Sequence, residues 1–261
     1  MSQNKELNKQ KAQRIIDIVP AIFSSGYLSE EAVLTGGLAL NLEFAKRRFS
    51  TDIDLACLNG KELSFDKRIG YFADELRGVA QRNGYGFMIR IGKSSKAKLT
   101  YINHLGEEDA IGVDIYVSPN HHYLDPQEKE YSEIGLIRVM QLEEMLGGKI
   151  SMLSRPRLRG HKRFSDLLDV YNSTFSENID GELLQEMFVN YMTQLGIKVT
   201  QDKLAQMVDW HNFEKFQRGI EPKTEQQITF SNLRERILTH YRNLCDLTPT
   251  QREEYSSSNL L

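Results

Sequence analysis

"TGGLALNLEFAKRRFSTDIDLACL", residues 35–58, is the stretch on which the fold turns. Gly36-Gly37 opens a segment with helical spacing, and the segment runs into "TDIDLACL", whose alternation predicts a strand. Successive side chains of a strand point to opposite faces, so Asp52 and Asp54 share one face while Ile53 and Leu55 point into a core. Carboxylates that close repel each other, and one of them would tend to keep its proton unless a cation stands between them. A divalent metal would keep both ionised, and hard oxygen ligands suit magnesium. Taken alone, the Asp-x-Asp pattern fits a solvated strand face equally well.

Upstream, "EAVLTGG" reads as a short strand ending in a glycine turn. Glycines between a strand and a helix let backbone N–H groups approach a phosphate at the positive end of the helix, although a lone Gly-Gly is more often only a turn. Residues 8–23 have helical spacing, with Ile15, Ile16, Val19 and Ile22 as the apolar stripe, and 64–82 repeat it through Phe65, Ile69, Phe72, Leu76 and Val79. "YGFMIRI", "AKLTYINHL" and "AIGVDIYVS" predict three more strands. In the last of these, Ile111, Val113, Ile115 and Val117 share one face and Asp114 lies on the other. If that strand neighbours 52–58, Asp114 completes a three-carboxylate cluster able to hold two metal ions. By itself Asp114 reads as solvated.

The chain has 261 residues, 40% hydrophobic and 26% charged, with a net charge of −3. That balance argues against bulk electrostatic binding of nucleic acid while leaving room for a local basic patch. Two cysteines, Cys57 and Cys245, have no metal-like spacing, which points to a reducing compartment. The N-terminus lacks the apolar core of a signal peptide. No apolar run approaches the roughly 20 residues that span a bilayer. A cytoplasmic protein without a membrane segment is expected.

The polar stretch "PNHHYLDPQEKEYSEIG", residues 119–135, reads as a linker. Beyond it the period is helical, over about 140–154, 162–175, 180–195, 200–217 and 231–245. These elements predict an α+β N-terminal domain over 1–135, a mixed sheet with flanking helices, and an all-helical C-terminal domain over 136–261.

The run Gly36-Gly37-Leu38-Ala39-Leu40, followed by Arg48, Ser50, Asp52, Ile53, Asp54 and Leu55, closely resembles the signature of the polymerase-β-like nucleotidyltransferase superfamily. More narrowly it is similar to the AbiEii/AbiGii toxin branch, and the order of strand, turn, helix, Asp-x-Asp strand and later single-Asp strand fits as well. Much of the superfamily has Gly-Ser where this chain has Gly36-Gly37, but Gly-Gly matches the branch. The resemblance continues in "LEEMLGGKISML", which looks like the family's lysine-bearing helix with Lys149 on the nucleotide. "GHKRFSDLLDVYN" is similar to the Arg-x-Lys-Asp-x-x-Asp-Leu segment, with Asp166 and Asp169 in the aspartate places and Ser165 where Lys or Arg is usual. Asp166 is the choice for the functional carboxylate; Asp169 either serves the nucleotide or braces the helices.

The resemblance implies a metal-dependent nucleotidyltransferase that moves an NMP from an NTP to an acceptor hydroxyl and releases pyrophosphate. Asp52, Asp54 and Asp114 would be catalytic and hold two Mg2+ ions, joined by Lys149 and Asp166. Gly36, Gly37, Arg48, Ser50, Lys149, Arg157, Arg159, Lys162, Arg163 and Asp169 would address the nucleotide. The implied biology is the toxin half of a toxin–antitoxin system, with a cognate antitoxin as partner and the tRNA 3′ end as acceptor. A small-molecule or protein acceptor, and a catalytically silent binding module, are the alternatives.

"SRPRLRGHKRFS", residues 154–165, gathers Arg155, Arg157, Arg159, Lys162 and Arg163 with no acid among them. It suits a triphosphate or an RNA backbone, and equally a solvated helix–helix loop. Lys46 and Arg47 would extend the patch. His121 and His122 read as an exposed loop pair, Arg234 and His240 as an ordinary amphipathic helix, and Trp210, Phe213 and Phe216 as core. Cys57 is set on the face opposite Ile53 and Leu55 and given no chemistry.

Overall fold

A computed structural model describes residues 3–44, 48–57, 65–90, 95–116, 124–154, 163–212 and 216–247. The chain divides into two compact units, Met1–Gln141 and Leu142–Leu261. Among the described residues no helix is long and apolar enough to cross a membrane.

The first unit runs α1 (Gln3–Phe23), α2 (Gly26–Glu31), β1 (Ala32–Thr35), α3 (Gly36–Glu43), β2 (Asp52–Cys57), α4 (Phe65–Arg82), β3 (Gly86–Arg90), β4 (Ser95–Ile102), β5 (Glu108–Tyr116), β6 (Gln127–Tyr131) and β7 (Gly135–Val139). The seven strands among the described residues form one mixed sheet in the order β3-β4-β5-β2-β1-β7-β6. Period-two alternation sets its faces. Ile53 and Leu55 of β2, Ala97 and Leu99 of β4, and Ile111, Val113 and Ile115 of β5 are buried, while Lys96, Lys98 and Asp52 of the same strands are exposed. Cys57, expected opposite Ile53 and Leu55, is buried with them because positions 53, 55 and 57 share parity. α4 buries Ile69, Phe72, Leu76 and Val79 and contacts β3 and β4, while α1 packs on α2 and α4. The stripe of α1 is Ile15, Ile18, Val19 and Ile22 rather than one passing through Ile16. Its position is fixed by Lys11, whose ammonium lies 2.8 Å from Asp109 of β5, and by Arg14, stacked 4.4 Å from the centre of the Tyr101 ring.

The expected linker at 119–135 holds a strand instead. β6 pairs antiparallel with β7 through a turn in which Gly135 takes φ 84°, and β7 runs parallel to β1 with Leu34 opposite Val139. The N-terminal unit therefore extends to Gln141, six residues past the expected boundary at 135. β6, "QEKEY", sits at the sheet edge, where charged side chains discourage pairing with other chains, so its composition imitates a linker. Lys129 and Tyr131 of β6 both reach Glu43 at the end of α3.

The second unit comprises α5 (Leu142–Met152), α6 (Phe164–Ser173), α7 (Gly181–Gln194), α8 (Lys203–Asp209), α9 (Phe216–Ile220), a 3-10 turn at Glu221–Lys223, and α10 (Phe230–His240). The single helix expected over 200–217 is thus interrupted. The Asp180 carboxylate accepts the N–H groups of Glu182 and Leu183 to start α7, and the Thr229 hydroxyl accepts that of Asn232 to start α10. Phe216 is buried as expected, but Trp210 is 45% exposed at the end of α8. The side chains of Phe65 and Phe213 lie outside the described residues, as do His121 and His122.

α5 and α7 cross closely at Gly147. A Cβ there would lie 2.8 Å from Met187 Cβ and 2.9 Å from the backbone of Met187 and Phe188, whereas one on Gly148 would meet only the Tyr191 ring at 3.4 Å. Gly147→Ala should therefore lower the thermal midpoint. The gain of about 1 kcal/mol in helix propensity is outweighed by the roughly 1–3 kcal/mol cost of overpacking. Gly148→Ala should leave the midpoint unchanged or raise it. Equal midpoints for the two variants, measured by circular dichroism, would contradict this account of the crossing.

Candidate active site

β2 and β5 run parallel with Asp54 opposite Asp114 and Asp52 opposite Gly112. On its other side β2 pairs with β1, which sets Thr35 against Asp54. Residues facing each other across neighbouring strands share a face. Asp54 and Asp114 therefore stand side by side, and Asp52 lies one pleat along. Glycines clear the space around them. Gly36 takes φ 70°, and a Cβ there would overlap the Asp54 carboxylate; a Cβ on Gly112 would lie 2.6 Å from Asp52 Oδ1. Gly37 serves in the same way toward Arg48, whose guanidinium occupies the space a side chain would need. Gly36 is thus demanded by the protein's own packing, before any phosphate is considered, whereas a side chain at Gly37 would displace the Arg48 guanidinium.

Gly36 is also the first residue of α3, so Asp54 lies against a helix N-terminus, where a negative charge is favoured. Arg48 is 7% exposed; its backbone N–H donates to Asn41 Oδ1 at 3.2 Å and its Nη1 to the Phe49 carbonyl at 2.9 Å. Ser50 is buried too, and its hydroxyl donates to the Asp52 carbonyl at 3.2 Å. Both residues shape the entry into β2.

The sequence reading missed a cation beside Asp114. Lys96 of β4 lies opposite Asp114, and its Nζ reaches both carboxylate oxygens, at 2.7 and 2.9 Å. Tyr116, two residues past Asp114, also leans on the cluster, with its hydroxyl 3.5 Å from Asp114 Oδ2. Although 37% of this residue is exposed, burial of the phenol end and then the charges of Asp54 and Asp114 push its pKa well up. Alternation in "SKAKLTYI" shows that Lys96 and Lys98 share a face, but only the register says that the face is that of Asp114.

Hard oxygen donors on adjacent strands, in a space that glycines keep open, fit a divalent cation at Asp54 and Asp114 with Asp52 beside them. Among the described residues, no three His, Cys, Asp or Glu side chains are drawn together tightly enough to hold a metal as they stand. Lys96 sets a positive charge against Asp114 in that row.

In the second unit, Lys149 of α5 meets both aspartates of α6, with Nζ 2.7 Å from Asp166 Oδ1 and 3.4 Å from Asp169 Oδ2. Arg163 adds a contact of 2.7 Å to Asp166 Oδ2. Asp166 and Asp169 are 5% and 2% exposed. Burial alone would raise the Asp166 pKa, but Lys149 and then Arg163 outweigh it and hold the carboxyl below its usual range. Asp166 and Asp169 thus both engage Lys149. Arg155, Arg157, Arg159 and Lys162 of the basic turn, and Lys46 and Arg47, lie outside the described residues. Arg234 is tied to Asp209, with Nη2 3.0 Å from Oδ2, and the His240 ring stands edge-on to Tyr241.

Asp166→Asn should cost stability at neutral pH, at the lower end of the about 3–5 kcal/mol for a broken buried pair, because Asp169 still holds Lys149. A lowered folded-state pKa gives stability that is present above the unfolded value of about 3.9 and lost as pH falls through the folded value. The gap between wild type and variant should therefore narrow below about pH 4. A gap that does not depend on pH, in denaturant melts at pH 3 and 7, would show that the charge is not what stabilises.

A model described as "Nucleotidyl transferase AbiEii toxin, Type IV TA system" matches residues 19–238. The fold is similar to that of MenT4, a nucleotidyltransferase toxin of Mycobacterium tuberculosis H37Rv, with a TM-score of 0.64, 17% identity, and coverage of 99% of this chain and 98% of that one. A nucleotidyltransferase-like antigenic protein of Paracoccidioides brasiliensis aligns over 76% of this chain and 92% of its own at 12% identity, with a TM-score of 0.43, too low to bear on the fold. No curated protein sequence matches the chain. The family match covers most of the chain, and the carboxylate row, glycine turn and lysine-bearing helix lie within it: the chain belongs to the AbiEii nucleotidyltransferase toxin family of type IV toxin–antitoxin systems.

Proposed function

We propose that this nucleotidyltransferase moves an NMP from an NTP to the 3′ end of tRNA. The observation that carries the reading is the pairing of Asp54 with Asp114 across β2 and β5, beside the Gly36 turn and the N-terminus of α3. Asp52, Asp54 and Asp114 are the residues that would hold Mg2+, one ion or two. Bound there, Mg2+ would supply charge neutralisation at the phosphate oxygens and a lowered pKa for the acceptor hydroxyl.

The chain's own residues position and neutralise. The acceptor hydroxyl gives up its proton to water, its oxygen bonds to the α-phosphorus in line, and the bond from that phosphorus to the bridging oxygen breaks, releasing pyrophosphate. The α3 N-terminus favours negative charge beside Asp54. We assign Gly36, Gly37, Lys149, Arg163 and Asp169, with Arg157, Arg159 and Lys162, to the triphosphate. Arg48 and Ser50 act on it through the turn they brace. Asp166 holds the Lys149 ammonium in place. A cognate antitoxin and a cytoplasmic setting belong to this reading.

Labelled NTPs, Mg2+ and total RNA incubated with the protein should yield labelled RNA. Asp54→Ala should cut that labelling by about 100-fold or more, as expected for loss of a preorganised electrostatic group. Equal labelling by the variant would rule out the assigned site, and label on a small molecule or a protein would move the acceptor out of RNA.

A further inference from the structure

Beside the carboxylate row, β3 and β4 turn a face to solvent whose charge is opposite. Arg90 lies opposite Lys96 and Met88 opposite Lys98; Lys96 and Lys98 in turn lie opposite Asp114 and Gly112. With the pairing of β5 to β2, two rows cross the sheet: Arg90–Lys96–Asp114–Asp54 and Met88–Lys98–Gly112–Asp52. Lys96 has 59% of its side chain exposed and Met88 is 52% exposed, and Arg90 and Lys98 are exposed as well. Lys96 is engaged with Asp114, but no carboxylate among the described residues is bonded to Arg90 or Lys98.

Edge protection accounts for only part of this. β3 is the edge strand, and one cation there would discourage pairing with other chains. The lysines, however, stand on β4, an interior strand with no free edge. In a chain of net charge −3, three cations on two adjacent strands leading to three aspartates form a local dipole along the sheet.

We propose that this basic ribbon is the seat of a polynucleotide acceptor, with phosphates on Arg90 and Lys98 and the terminal hydroxyl carried toward the carboxylate row at Lys96. Arg90 and Lys98 are diagonal neighbours about 7–8 Å apart at the backbone, a step comparable to that between phosphates of an extended strand. The ribbon is two strands wide, about 5 Å between them, which suits a single chain better than a duplex. The Met88 thioether offers a polarisable apolar surface on which a base can rest. A neutral acceptor would use none of these cations. That the bound strand is the acceptor rests on the nucleotide-transfer reading; that the ribbon binds a polynucleotide does not.

The test uses the full chain without nucleotide, titrated into fluorescently labelled total tRNA at several salt concentrations, with phosphatidylglycerol vesicles as a second anionic surface. Arg90→Glu with Lys98→Glu should weaken RNA binding at least tenfold. Arg90→Gln with Lys98→Gln should flatten the slope of log K against log[salt] by about 1.4, or roughly 0.7 for each lost contact to a single strand. Unaltered melting curves confirm folding at these exposed positions. Wild-type protein that binds no RNA, or variants that keep its affinity and slope, overturn the proposal. So does vesicle binding that the variants abolish while RNA binding stays. In a transfer assay run alongside, RNA bound through the ribbon but never labelled sinks the transfer reading alone, whereas labelling with unaltered RNA affinity in both variants sinks the ribbon alone.

Discussion

Parallel pairing of β2 with β5 is the constraint on which the first unit is built. The two strands are separated in sequence by α4, β3 and β4, so their register is a tertiary property and not a hairpin's. Because side chains alternate, a slip of one residue would carry Asp114 to the apolar face and Val113 out of it. Ile53, Leu55, Val113 and Ile115, all within 1% of full burial, fix the register by hydrophobic burial. The position of the carboxylates follows from the fit of the apolar residues between them. Gly36 completes the arrangement by leaving space where any other residue would intrude on Asp54, and Gly112 leaves room for the Asp52 carboxylate.

Charge in the two units is balanced by different means. On the sheet the aspartates face solvent, and Lys96 compensates Asp114 with a contact that water also screens. In the helical unit Asp166 and Asp169 are nearly inaccessible, and Lys149 with Arg163 supplies two positive charges against their two negative ones. Desolvated carboxylates without those partners would be strongly disfavoured. The lysine-bearing helix and the aspartate-bearing helix therefore depend on each other electrostatically as well as through packing.

Much of this was legible in the sequence, for reasons tied to particular residues. The strand alternation around Asp52 and Asp54, the turn at Gly36 and the burial of Ile111, Val113 and Ile115 are local patterns, and local patterns survive in a linear reading. Lys96 was not legible as a partner of Asp114, because no single segment states which strands will be neighbours. Likewise Lys149 was visible as a helix lysine near an aspartate segment, but its simultaneous contact with Asp166 and Asp169 depends on how α5 and α6 pack. β6 was missed for the opposite reason. Its local signal was clear and misleading, since the charges that make a safe edge strand are the ones that make a linker. Trp210 had helical spacing yet sits where the helix ends, so the period ran past the element that produced it.

The missing side chain at Gly147 reaches further than its own crossing. Two residues along a helix is a turn of roughly 200°, so Gly147 and Lys149 look out from nearly opposite sides of α5. One side is gripped by α7 through bare backbone, and the other is tethered to α6 by the ammonium. A helix held on both flanks cannot roll about its own axis. The orientation of the Lys149 head group is thereby inherited from an apolar contact that carries no charge, and a remote methyl group becomes a means of adjusting it.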